Sequence, residues 1–79
     1  MPHYFYKNQD ITMDILLKIE HAVRILAQKF GKPFDEMLRL FYASKTYDAL
    51  RNPDSEMWAE SAEFIADEFE RTSIVANII

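Results

Sequence analysis

Residues 41–70 read FYASKTYDALRNPDSEMWAESAEFIADEFE, and the spacing of apolar, capping and breaking residues within this run decides the fold. Ser44 carries a short oxygen side chain of the kind that accepts from the free N–H groups of a helix start. It predicts a short helix over 45–51 with Tyr47 and Leu50 turned inward. Asn52-Pro53-Asp54 ends that helix, because proline disfavours helical geometry in the residue before it. Past the break, Met57, Trp58, Ala62, Ile65, Ala66 and Phe69 recur at helical spacing, which predicts a helix over about 55–71. Ser61 offers a second cap. If it acts as one, the stretch divides into a single turn and a helix from Ala62 to about Arg71.

Upstream of this run the same reasoning yields two further helices. Pro33 suits the first turn of a helix over about 33–43, and Asp35 and Glu36 there complement the helix dipole. Phe34, Met37, Leu38, Phe41 and Tyr42 form its expected buried stripe. Before it, Ile15, Ile19, Val23, Leu26 and Phe30, flanked by Leu16, Ala22 and Ala27, follow helical spacing over about 11–30. Asp10 or Thr12 can cap its start and Gly31 can end it in the left-handed conformation. Lys18, Glu20, Arg24, Gln28 and Lys29 fall mainly on the opposite side. The expected fold is all-α: a small bundle of three to four helices (about 11–30, 33–43, 45–51 and 55–71) with an apolar C-terminal tail.

The 79 residues form a single small helical domain, 1–79. Residues 1–9 and 72–79 are read as ends that are either flexible or interface-forming. The His3-Tyr4-Phe5-Tyr6 cluster is too short to assign as a strand. The apolar tail, with Ile74, Val75, Ile78 and Ile79, has three readings: an extension of the last helix, a strand, or a segment packed on a neighbouring subunit. One Gly and three Pro are too few for an all-β chain with many tight turns, while 49% hydrophobic and 14% aromatic residues suffice for a folded core.

The absence of Cys removes disulfides, thiolate catalysis and Cys-based zinc sites together. The start MPHYFYKNQD has neither a basic n-region nor a continuous apolar run, and the longest apolar stretches fall well short of the ~20 residues that span a bilayer. A cytoplasmic protein without a membrane partner is therefore expected. Net charge is −4, unevenly spread: residues 1–40 hold six Lys and Arg against five Asp and Glu, residues 41–79 three against eight. An acidic second half is unfavourable for binding phosphates and favourable for docking on a basic partner.

No catalytic constellation emerges. The two histidines, His3 and His21, stand in no metal-ligand pattern, the serines form no nucleophile elbow, and Gly31, the one glycine, cannot make a phosphate-cradling loop. We expect no catalytic, metal or cofactor residues and no cofactor. The acids Glu56, Glu60, Glu63, Asp67 and Glu70 recur every three or four residues, which reads either as a solvated helix face or as a docking surface. The aromatics exceed what so small a core can hold, and Tyr and Trp dominate interface hot spots. The expected partner-binding residues are Tyr42, Lys45, Tyr47 and Trp58, with Glu60, Glu63 and Asp67 at the rim.

The run Ser44-Lys45-Thr46-Tyr47, then Leu50, Trp58, Ser61 and Phe64-Ile65-Ala66-Asp67, resembles a group of short bacterial proteins with an SKTYxxL, WxxS and Asp pattern over about residues 38–70. Such proteins are often encoded near toxin-like or mobile-element genes. Where that pattern often has Pro after the second Ser, this chain has Ala62, and where it has Tyr, this chain has Phe64. The resemblance implies a small bacterial accessory protein, the partner of a neighbouring gene product, and implies no reaction. Together these readings give a non-enzymatic protein–protein interaction module that neutralises or assists a larger protein and forms a homodimer. The competing expectation is a nucleic-acid-binding regulator with a helix-turn-helix-like segment at 33–51, in which Lys32, Arg39, Lys45 and Arg51 meet phosphates.

Overall fold

The computed structural model describes residues 3–72. It is a small helical bundle preceded by a two-stranded hairpin: β1 (Phe5–Tyr6), β2 (Gln9–Asp10), α1 (Thr12–Phe30), α2 (Phe34–Tyr42), α3 (Lys45–Leu50) and α4 (Ala62–Thr72). The helical architecture is the one expected. The tail beyond Thr72 lies outside the described residues.

Helix α1 is the axis of the molecule. Ile15, Ile19, Ala22, Val23 and Leu26 bury one face of it, and α2 and α4 pack against that face. From α2 come Met37 and Phe41, from α3 Leu50, and from α4 Ile65, Ala66 and Phe69, all fully buried or nearly so. The Phe41 and Phe69 rings stack at 5.7 Å, joining α2 to α4 across the core. Gly31 ends α1 with φ of 65°, and the next amide, Lys32 N–H, returns to the Ala27 carbonyl at 3.0 Å. Ser44 caps α3 by accepting from the Tyr47 amide at 3.1 Å.

Three details differ from the expectations. The stretch 55–61 is not α-helical. Two single 3₁₀ turns, Pro53–Ser55 and Met57–Ala59, flank Glu56, whose φ of 59° interrupts any continuous helix. The Ser55 hydroxyl donates to the Ala49 carbonyl at 2.6 Å and accepts from the Met57 amide, holding the chain in this bend. The α-helix starts only at Ala62, where Ser61 Oγ accepts from the Phe64 amide at 3.1 Å. Of the two readings of this stretch, the structure has the one divided at Ser61.

Residues 3–10 also carry regular structure. Phe5 pairs with Asp10 and Tyr6 with Gln9 around a turn in which Lys7 and Asn8 both take positive φ, the geometry of tight hairpin turns. Asp10 Oδ1 accepts from the Thr12 amide and hydroxyl, while Thr12 Oγ1 accepts from the Tyr4 amide at 2.8 Å. Neither residue expected to cap α1 stands at its N-cap, which is Ile11 without a side-chain cap; Asp10 and Thr12 instead tie the hairpin to the first turn of the helix. Finally, Tyr42, expected in the buried stripe of α2, is exposed, because the last turn of α2 carries it past the edge of the core.

Candidate interaction surface

The residues expected to meet a partner fall into three groups. Tyr42 and Tyr47 are in contact, edge to face, with ring centroids 4.8 Å apart. Tyr47 is half-buried against Phe41, and the Arg51 guanidinium lies 5.8 Å over its ring. Burial, more than any other cause, pushes the Tyr47 hydroxyl above its usual pKa. Tyr42 is left 44% exposed on the outer side of this pair. Lys45, at the first position of α3, is exposed and joins no ion pair among the described residues.

Trp58 stands elsewhere. Its ring meets Tyr6 edge-on at 5.4 Å, and its Nε1 donates to the Pro53 carbonyl at 3.0 Å. The Tyr6 hydroxyl donates to the Glu56 carboxylate, which holds the phenol above its ordinary pKa. Trp58 thus fastens the hairpin to the loop between α3 and α4, and its indole N–H is used within the fold.

The third group lies on or just before α4. Glu60, Glu63 and Asp67 are exposed, and none of them joins an ion pair among the described residues. Phe64, which follows Glu63 on α4, is 42% exposed. Sequence reasoning did not single out Phe64 as exposed. The signal was present in the spacing, since Phe64 falls outside the 62, 65, 66 and 69 set that points to the core.

Lys18 is the second residue whose role was missed. It was expected on the solvent side of α1, but it is half-buried, and its Nζ donates to the Trp58 carbonyl at 3.1 Å and to the Glu60 carbonyl. These contacts place Trp58 and Glu60 against α1. An open cleft of about 420 Å3 follows, lined by Lys18, His21, Arg24, Ile25, Ala62 and Glu63 among others. Its rim carries both signs of charge, and among the described residues no three His, Asp or Glu side chains converge as ligands for a metal ion.

Of the four cations considered for phosphate contacts, three are already paired with carboxylates of their own neighbourhood. Lys32 meets Glu36 at 3.0 Å, Arg39 meets Asp35 at 3.7 Å and Arg51 meets Asp48 at 3.8 Å. No helix among the described residues is long and apolar enough to cross a membrane. Comparison with protein-family models, curated proteins and solved structures returns no match.

Proposed function

We propose that this chain is a non-enzymatic protein–protein interaction module, a bacterial accessory or neutralising partner of a larger cytoplasmic protein. The observation that carries the proposal is the mismatch between a completed interior and an apolar exterior. Among the described residues no buried side-chain nitrogen or oxygen lacks a hydrogen-bond partner, yet Phe5, Met13, Leu17, Tyr42 and Phe64 all stay exposed. The apolar area that these side chains leave in solvent supports a reading in which a partner covers part of it.

The Tyr42–Tyr47 pair, with the exposed Lys45 at the start of the helix that carries Tyr47, has the composition of a contact centre: a pre-positioned aromatic edge and a cation without an ion pair among the described residues. Nucleic-acid binding is less well supported, because the Lys32, Arg39 and Arg51 charges are spent on Glu36, Asp35 and Asp48. Self-association belongs to the same proposal, with Met13 and Leu17, one turn apart on α1, supplying apolar area for a second copy.

Affinity capture from the native host, with wild type beside a Tyr42→Ser/Lys45→Glu variant, tests the reading. Both positions are exposed, so both proteins should give the same circular dichroism. The variant should then lose its captured partner, with affinity for the purified partner reduced about tenfold or more, as for a truncated hot spot. Capture of the same proteins with equal affinity overturns the assignment of this surface. Light scattering on the full chain and on a chain ending at Arg71 tests the dimer, which is refuted if both are monomers.

A further inference from the structure

We infer that two copies of the chain pair through the outer face of α1, antiparallel and two-fold symmetric about the level of Ile19. The inference rests on the interaction-module reading and deepens it, by committing this face to a second copy and stating how the two helices lie.

Asp14, Leu17, His21, Arg24 and Gln28 recur along α1 at alternating spacings of three and four, the repeat of a helix–helix seam. All five are exposed, on the side turned away from the buried Ile19, Val23 and Leu26. Leu17 is 43% exposed and Met13, one turn before it, is 65% exposed, so the apolar part of the seam is bare. The surface along the seam is hollow. One open cavity of about 420 Å3 is bounded on α1 by Asp14, Leu17, Lys18 and His21. A second, of the same volume, takes in His21, Arg24, Ile25 and Gln28. Each quartet is spaced i, i+3, i+4, i+7, the four residues that frame a hole for a knob of a facing helix.

Charge and symmetry choose the occupant. Asp14 joins no ion pair among the described residues. Arg24 meets the exposed Glu20 at 2.8 Å and lies over the Phe34 ring. A surface pair of this kind contributes little, and a guanidinium has donors for a second carboxylate. Asp14 and Arg24 stand five residues to either side of Ile19, and Leu17 and His21 two residues to either side. A two-fold axis at Ile19 therefore sets Asp14 opposite Arg24 of the other copy, twice, and Leu17 opposite His21 of the other copy, twice. It also brings His21 of each copy to the first hollow of the other, and Asp14 to the second. A parallel pairing would set Asp14 against Asp14 and Arg24 against Arg24, and a nucleic acid would bring phosphates to Asp14 and Glu20. From Asp14 to Arg24 the seam is about 15 Å long, which suits a small, reversible interface.

The test is sedimentation equilibrium on the full chain and on charge-reversal variants with unchanged circular dichroism. Wild type should self-associate. Asp14→Lys and Arg24→Glu should each weaken association about tenfold or more, because each sets like charges opposite one another twice. Mixing the two variants, or joining both changes in one chain, should restore it, since opposite charges then face each other again. Leu17→Glu should weaken association about tenfold or more by charging the apolar part of the seam. Four results overturn the inference: a wild type that stays monomeric, single variants that associate as wild type does, no recovery in the mixture and the double variant, or loss of association in a chain ending at Arg71. The second of these, with an unchanged double variant, is the pattern of a parallel seam. The fourth assigns the contact to residues beyond Arg71. If wild type is monomeric but its host partner is lost with Tyr42→Ser/Lys45→Glu, the interaction-module reading stands while this one fails.

Discussion

At the scale of single residues, Lys18 shows how a side chain that looks like solvent-facing charge can organise a surface. Its ammonium group supplies donors to the carbonyls of Trp58 and Glu60, two groups in a loop that offers them no backbone partner of its own. Its apolar stem lies along α1, so the residue is half-buried although the head is charged. Lys18→Met keeps most of the stem and removes the donors. It should cost about 1.5–3 kcal/mol of stability, the range for hydrogen bonds to a charged group. Urea denaturation would show this as a lower midpoint at unchanged slope, while Lys45→Met, at an exposed position without an ion pair among the described residues, should change stability by less than about 0.5 kcal/mol. Equal effects at the two positions would mean that Lys18 does not hold the loop.

At the scale of elements, the boundaries that depend on short-range chemistry could be read in the chain, and those that depend on a distant partner could not. Gly31, Ser44 and Pro53 each act through neighbours within four residues, and α1, α2 and α3 end where these residues place their ends, to within a residue or two. The hairpin is different. Its strands are two residues long, and they are held by Thr12 accepting from Tyr4 and by Tyr6 against Trp58 and Glu56, contacts of up to 52 positions in sequence separation. The start of α4 lay between these cases, since Ser61 marked a cap but the positive φ of Glu56 had no sequence cue. In the candidate site, Tyr42 next to Tyr47 follows from α2 and α3 meeting at Ser44. Trp58 belongs with Tyr6, a pairing that only the tertiary fold shows. Ala62→Pro tests the α4 start directly. As the first helical residue, Ala62 has an N–H with no intrahelical partner, so proline there should be neutral or stabilising by about 0.4–1 kcal/mol. In a helix running unbroken from 55, the same substitution would cost about 3 kcal/mol. Thermal melts of the two proteins separate these outcomes.

At the scale of the whole molecule, three of the residues that join separate elements share one direction of pH dependence. Tyr6 reaches Glu56 and ties the hairpin to the loop; Tyr47 packs α3 against Phe41 of α2; Lys29 ties α1 to α4 through Glu70. Each is held above its ordinary value: Tyr6 chiefly by its bond to the Glu56 carboxylate, Tyr47 chiefly by burial, and Lys29 chiefly by its bond to Glu70. A group raised on folding keeps its proton longer in the native chain than in the unfolded one, so its contribution is complete below the unfolded value and is lost as pH rises through the folded one. The reference values are 10.0 for the tyrosines and 10.5 for the lysine, which puts the loss on the alkaline side of about pH 10. Asp10 acts oppositely. The Thr12 hydroxyl, more than any other partner, holds it below 3.8, so what it adds is present above that value and fades as the solution becomes more acid. The melting temperature should therefore stay nearly level through neutral pH and fall above about pH 10. Tyr6→Phe should flatten part of that fall while lowering stability at pH 7, because the ring remains against Trp58 but the donor to Glu56 is gone. Melts followed at 222 nm across pH 7–12 would decide the matter. An alkaline limb of the same steepness in Tyr6→Phe would show that the hairpin is not fastened through this phenol.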